Sequence, residues 1–333
     1  MYSQLQKPSG QQILYKTRMG LPMYGKLKLS IGSTPLYKIN KISLPNNNIV
    51  LAKEEFKNPT GSHYDRVYLW LFRDLENKGV IKPGITPLID NSSGNAASSF
   101  AWLGSQLGYD CTVVVPEDLP QARINDINKY NPNIVFSEAG KYVLGTNEKL
   151  RNILKDSFKK GNPNGRLYCM NHSENPISLR AMEECAEEIS IFNGVHKVDY
   201  FIGAIGNGTS LTGMGHILKS KMSCTLIGWD PEEAPVGYSL KHLNQHFEFH
   251  SHEVYGTGAW GLKFPHLNVD LLDDVCIVKK EEWTEALKLL HNIEEKPVGN
   301  SSAGSLAVAM KMAKKVRNKI FLIIFYDPIW KYK

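Results

Sequence analysis

Several things are scarce in these 333 residues, and each scarcity removes a class of protein. Five cysteines (Cys111, Cys169, Cys185, Cys224 and Cys276) form no CxxC pair and are odd in number, which argues against a disulfide framework and against a zinc site. The longest apolar stretches, Ile320 to Phe325 and Thr112 to Val115, fall far short of the roughly 20 residues that a membrane-spanning helix needs. A soluble chain is expected, with no membrane partner. The first residues, MYSQLQKPSGQQILYKTRMG, lack an apolar core behind their charges, so no secretory leader is expected and the cytoplasm is the default compartment. Basic residues exceed acidic ones by a formal +6, yet the lysines are spread along the chain instead of gathered in a block. No nucleic-acid partner is expected on that ground.

What is present is alternation. Short apolar runs that fit buried strands recur at Pro87 to Asp90, Cys111 to Val115, Ile134 to Phe136, Tyr200 to Ala204, Cys224 to Gly228 and Lys319 to Phe325. Between them, helical spacing appears at Asp65 to Lys78, Ala96 to Leu107, Pro120 to Lys129, Pro176 to Ser190, Thr209 to Lys219, Lys280 to Ile293 and Ser302 to Val316. Strand and helix in repeated succession predict an α/β fold with mainly parallel sheets covered on both faces. Such sheets place ligands beyond the C-terminal ends of their strands, so the loops there carry the chemistry.

Three of those loops are rich in Gly, Ser, Thr and Asn. Ile205-Gly-Asn-Gly-Thr-Ser-Leu-Thr-Gly213 follows an apolar run and opens a helix. Its glycines allow close backbone approach and the helix start offers free N–H groups, which together suit a phosphate. It lacks the Gly-Lys-Ser/Thr ending of a nucleotide P-loop. Asn91-Ser-Ser-Gly-Asn-Ala96 gathers hydroxyls, an amide and helix N–H groups suited to a carboxylate or a phenolic oxygen, and Gly299-Asn-Ser-Ser-Ala-Gly-Ser305 also begins a helix. Taken singly, each is equally readable as a plain capped helix start.

A further segment, Asn58-Pro-Thr-Gly-Ser-His-Tyr-Asp-Arg66, preceded by Ile31-Gly-Ser-Thr-Pro-Leu36 and Lys53-Glu-Glu-Phe56, resembles the N-P-T-G-S-x-K-D-R block of the cysteine synthase family. These are the fold-type II pyridoxal-phosphate enzymes, to which cystathionine β-synthase and the tryptophan synthase β chain belong. The resemblance runs from about Ile31 to the C-terminus, with four motifs in the same order. It implies two three-layer α/β domains: a small mobile one at 58–165 and a large cofactor-binding one made of 31–57 and 166–333, preceded by an N-terminal extension at 1–30 that could cross a dimer interface. It implies that Gly206, Asn207, Gly208, Thr209 and Ser210 hold the phosphate of pyridoxal 5'-phosphate, that Asn95 meets the ring oxygen and that Ser302 faces the ring nitrogen. Ser92, Ser93, Gly94, Ala96 and the Gly256 turn would receive the carboxylate of a small amino-acid substrate, and a homodimer is expected. A serine at the ring nitrogen does not hold it protonated as an aspartate would, which suits β-elimination or β-replacement.

The largest departure lies at Tyr64, where the family has its Schiff-base lysine, the residue that also moves the α-proton. A phenol forms no imine. Three explanations stay open: a cofactor or its preformed amino-acid adduct bound without a covalent link, with a Tyr64 phenol of lowered pKa or the adjacent His63 moving the proton; a catalytically inactive member that binds the cofactor or another small anion; or a replacement introduced to trap a complex. Ala96, where the family often has threonine, is a milder departure. His242, His246, His250 and His252 are expected to be surface histidines with no metal, Asp65 and Arg66 to be structural, and Trp229, Trp260 and Trp283 to serve packing.

Overall fold

The computed structural model describes residues 21–92, 94–160, 166–193, 195–242, 247–258 and 265–332, and the apolar runs of the sequence become the strands of two sheets. In chain order the strands are β1 (Leu36–Lys38), β2 (Ile49–Lys53), β3 (Leu88–Asn91), β4 (Cys111–Pro116), β5 (Asn133–Ser137), β6 (Tyr168–Cys169), β7 (Tyr200–Ala204), β8 (Thr225–Pro231), β9 (Asp274–Val278) and β10 (Ile320–Ile324). The helices are α1 (Leu21–Ser30), α2 (Tyr64–Asn77), α3 (Asn95–Leu107), α4 (Gln121–Asn128), α5 (Tyr142–Lys160), α6 (Ile177–Asn193), α7 (Thr209–Met222), α8 (Val236–Lys241), α9 (Lys280–Asn292) and α10 (Asn300–Ala313).

The larger sheet has six strands in the order β1-β2-β10-β7-β8-β9, and the smaller has four in the order β5-β4-β3-β6. Every pairing is parallel except that of β1 with β2. Parallel strands covered by helices on both faces read as unbroken apolar runs. Accordingly Phe321, Leu322, Ile323 and Ile324 of β10, lying between β2 and β7, are all fully buried.

Two main cores follow from the two sheets. One packs α6, α7, α9 and α10 on the six-stranded sheet, the other α2 and α3 on the four-stranded sheet, and α5 covers the opposite face of the latter through Leu150. Residues 21–30, counted with the N-terminal extension, form α1, whose Leu27 is buried in the second core; residues 1–20, and with them any arm across a dimer interface, lie outside the described residues. The four-stranded sheet takes in Tyr168 and Cys169 as its last strand. All five cysteines are free.

A buried ionic cluster ties the start of α2 to the six-stranded unit. Arg66 donates to both oxygens of Glu55 (2.7 and 2.9 Å) and of Glu188 (2.6 and 2.8 Å), and Lys53 donates to Glu188 at 2.7 Å. Every charge in it has a partner of opposite sign, the condition under which buried ions are tolerated. Asp65 is turned the other way and accepts from the Thr60 amide and hydroxyl, and both residues hold the helix start in place. Trp229 is fully buried and donates to Ser305 at 3.0 Å, and Trp283 is buried on α9, while Trp260 and His246 lie outside the described residues. His242 pairs with Asp274, and among the described residues no cluster of three His, Cys, Asp or Glu side chains is placed to hold a metal.

Candidate active site

The C-terminal ends of β3, β7 and β10 open toward one region, where the sequence places its Gly/Ser/Asn loops. After β7 the chain turns through Gly206 and Gly208 into α7. The amides of its first turn have no partner inside the helix and aim a partial positive charge at whatever sits before them. Gly208 has φ +87°, and a Cβ there would lie 2.4 Å from the Leu267 Cα; a Cβ on Gly206 would lie 2.2 Å from the Gly256 carbonyl oxygen. Only glycine lets these strands of chain meet, and the Gly256 turn thus abuts the loop. Thr209 and Ser210 are buried at the helix start, with Thr209 Oγ1 3.0 Å from His266 Nδ1 and the Thr209 amide bonded to Asn207 Oδ1.

The Tyr64 ring lies at the start of α2. It sits edge-on to His172 at 5.5 Å and tilted against His63 at 4.3 Å, and its phenol hydrogen-bonds the Asn207 side chain. Burial, and after it Tyr326 and Asp90, push that phenol up to about 12 despite the Asn207 contact. The expectation of a lowered pKa is therefore corrected: burial outweighs the one contact that favours a phenolate, and Tyr64 is a neutral phenol at pH 7. His63 is buried, its Nδ1 makes no hydrogen bond among the described residues, and burial lowers its pKa to about 4. It is a neutral imidazole with an open nitrogen.

Tyr326 follows β10 and connects these parts. Its ring is 5.5 Å from His63, its amide donates to Ser302 Oγ at 3.0 Å, and its phenolic oxygen accepts from the Ala204 amide at 3.2 Å and from Ser210. Ser302 is fully buried in the first turn of α10, and that bond leaves its own hydroxyl proton available.

The second loop meets the chain's end. Asn95 Nδ2 donates to Asp327 Oδ2 at 2.7 Å, while Asn95 Oδ1 accepts from Lys331 at 3.0 Å. Gly94 has φ +147°, and a Cβ there would fall 2.3 Å from an Arg123 guanidinium nitrogen. That guanidinium lies over the rings of Tyr255 (4.9 Å) and Tyr332 (4.6 Å) and reaches Asp327 at 3.5 Å. Ser92 Oγ accepts from the Gly94 amide, and Ala96 is buried in the first turn of α3. Ser93 lies outside the described residues.

The chain belongs to the family of pyridoxal-phosphate dependent enzymes, whose model matches residues 27–327. It is similar to cysteine synthase A of Escherichia coli (strain K12), 28% identical over 301 residues that span 89% of this chain and 90% of that protein. A cysteine synthase of Staphylococcus aureus (strain N315) is 27% identical over 289 residues, spanning 86% and 87%. Among solved structures, a hydrogen sulfide-producing enzyme from Fusobacterium nucleatum superposes with a TM-score of 0.81 at 25% identity, over 92% of this chain and 99% of that one. An O-acetylserine dependent cystathionine beta-synthase from Helicobacter pylori shares the fold with a TM-score of 0.81 at 24% identity, over 92% and 96%.

Pyridoxal phosphate is the cofactor of that family, and the residues present fit it as a bound ligand. The α7 start with its two glycines suits the phosphate, and the buried Ser302 hydroxyl suits a ring nitrogen. At Tyr64 there is no amine. Lys331, buried beside Gly61, has its ammonium directed to the Thr60 carbonyl (2.7 Å), Asn95 Oδ1 (3.0 Å) and Asp126 (3.1 Å).

Sequence reasoning passed over Asp90, Arg123, His172, Ser173, Tyr326, Asp327 and Lys331. Only the position of Asp90 at the end of one apolar run, and of Tyr326 and Asp327 just after the last, marked any of them in advance.

Proposed function

We propose that the chain holds pyridoxal phosphate without a covalent link and acts on a small amino acid by β-elimination or β-replacement, as a lyase or transferase of the cysteine synthase type. The observation that carries this is the pairing of an intact anion loop, Gly206 to Ser210, with a phenol, Tyr64, where the family resemblance puts the Schiff-base lysine. Gly206, Asn207, Gly208, Thr209 and Ser210 hold the phosphate and Ser302 donates to the ring nitrogen. Asn95 turns its Nδ2 from Asp327 to the ring oxygen. Ser92, Ser93, Gly94, Ala96 and Gly256 receive the substrate carboxylate as the unit at 58–165 closes on the rest. The cofactor, when bound, supplies the electron sink that acidifies the amino acid's α-carbon. Tyr64 stays protonated at pH 7 and orients by donating, whereas the open Nδ1 of His63 is the atom that takes and returns a proton. The same family likeness supports a homodimer in the cytoplasm.

A second reading, an inactive member that binds the cofactor or another small anion, is favoured by one contact. Both ends of the Asn95 amide are already paired, with Asp327 and Lys331.

An absorption titration with pyridoxal phosphate, followed by serine, O-acetylserine or cysteine, tests the first reading. Saturable perturbation, no cofactor fixed to the chain by borohydride, and a new band with one amino acid are expected. No perturbation, or fixation to a lysine, overturns it. Turnover that is absent in the native chain and appears only in Tyr64→Lys supports the second reading instead.

A further inference from the structure

Asp90, His172 and Ser173 form a connected series from the buried end of β3 to the half-buried Ser173 hydroxyl. Asp90 Oδ2 lies 3.0 Å from His172 Nδ1 and accepts from the His172 backbone amide at 3.3 Å and from the Tyr68 hydroxyl at 2.8 Å, Asp90 Oδ1 accepts from the Asn91 amide, and the Tyr68 oxygen also lies 3.0 Å from His172 Nδ1. In the tautomer that carries its proton on Nδ1, facing the carboxylate, His172 presents the lone pair of Nε2 to Ser173 Oγ, 3.2 Å away. Asp90 and His172 are buried, while Ser173 is half-buried. Asn207 Nδ2 lies 3.5 Å from Ser173 Oγ, which places the hydroxyl beside the start of α7. Carboxylate, imidazole and hydroxyl in this order, with the base oriented by the acid, are what activates a serine as a nucleophile.

We propose that Ser173, His172 and Asp90 give this chain a hydrolytic activity toward short acyl esters that needs no pyridoxal phosphate. Ser173 Oγ attacks the acyl carbon, and its proton passes to His172 Nε2. The bond from the acyl carbon to the alkoxy oxygen breaks, and the leaving oxygen takes the proton from His172, releasing the alcohol and leaving the acyl group on Ser173. Water then attacks the acyl carbon, gives its proton to His172, and the Ser173 oxygen leaves and recovers it, so the net reaction consumes one water. The Asn207 amide, 3.5 Å from Ser173 Oγ, and the positive end of α7 are the groups near the hydroxyl that would receive the negative charge developing on the acyl oxygen. Asp90 is a positioning residue that fixes the tautomer and the plane of the ring, and Tyr68 holds Asp90. The ring of Tyr64, edge-on to His172, walls this side of the site, which favours small acyl groups.

The test uses the full chain freed of pyridoxal phosphate, with p-nitrophenyl acetate as substrate and a fluorophosphonate as a covalent probe. The expected results are saturable hydrolysis, a loss of about 10²-fold or more in Ser173→Ala and in His172→Gln, and a single adduct on the peptide holding Ser173. Asp90→Asn should lower kcat while leaving KM in place. Ser173→Ala removes one oxygen from a half-buried side chain and should unfold at the native temperature, so its result stands even if Asp90→Asn folds poorly. Hydrolysis no faster than buffer, equal rates in the native chain and Ser173→Ala, or an adduct on another residue overturns the proposal. Because no cofactor is present, these outcomes are independent of whether the amino-acid reading holds.

Discussion

The ammonium of Lys331 lies 3.0 Å from Asn95 Oδ1, and this contact decides which way the Asn95 amide faces. An amide reads almost alike from either side until a charged neighbour selects one. Here the cation takes the oxygen, so the NH₂ points to Asp327.

Removing that cation should be costly. Lys331→Met leaves the half-buried Asn95 oxygen without its donor and takes one of two cations from the buried Asp126, which keeps Lys129 and Ser98, so a loss of about 1–3 kcal/mol is expected. Urea unfolding of the variant measures it, and a midpoint unchanged from the native chain would show the contact to be unimportant.

Acid should weaken the junction between the two units. Burial raises Glu55, but Arg66 and then Lys53 outweigh it and hold the carboxyl near about 2, and Glu188 is likewise lowered. A carboxyl depressed in the folded state contributes stability that is complete above its ordinary value, 4.5, and is lost as pH falls from there toward about 2. Denaturant midpoints across that range should fall steeply, and Glu55→Gln, with one group fewer to titrate, should fall less.

Asp230 should act in the opposite sense. It is fully buried, Oδ1 has no partner among the described residues, and burial pushes its carboxyl up to about 8 although the Tyr238 and Gly237 amides lower it. A raised carboxyl binds its proton more tightly when folded, so its contribution declines as pH rises from about 4 to about 8. The stability of Asp230→Asn relative to the native chain should improve with rising pH over that interval, by up to about 1.4 kcal/mol per pH unit. A parallel offset at all pH values would contradict this.

Gly208 should tolerate no side chain. Its positive φ, and the Leu267 backbone 2.4 Å from where a Cβ would stand, make Gly208→Ala strained, by about 1–3 kcal/mol from the dihedral alone. The anion site should distort with it. Stabilisation of the native chain by inorganic phosphate, read as a rise in Tm, should be reduced or absent in the variant.

Much of the architecture was legible because parallel strands announce themselves as apolar runs. The run Tyr200 to Ala204 is β7 residue for residue, and the segment Ala96 to Leu107 differs from α3 by one residue. Strands that are short or near the sheet edge gave a weaker signal. Leu36–Lys38 has three residues and Tyr168–Cys169 two, and Asp274–Val278 lies at the edge with its first residue exposed. The long α5 went unread because lysines and asparagines dilute its apolar positions. At the site, Tyr64, Asn95 and Ser302 stood in recognisable motifs. Asp90 and His172, by contrast, are 82 positions apart and meet only because β3 pairs with β6. No local pattern encodes that adjacency. The C-terminal contacts of Asp327 and Lys331 were hidden for a similar reason, since the partners sit some 200 residues earlier.

The place of β10 between β2 and β7 has a consequence for how the chain is made. The strand that joins the two halves of the six-stranded sheet leaves the ribosome after every other described strand, whereas every strand of the four-stranded sheet lies in 88–169. The smaller unit can therefore form during synthesis, while β2 and β7 wait with their inner edges unpaired until β10 emerges. Long-range pairing of this kind is slow and leaves sticky edges exposed in the interval. A nascent chain stalled before residue 320 would carry a folded small unit on an open, aggregation-prone half-sheet.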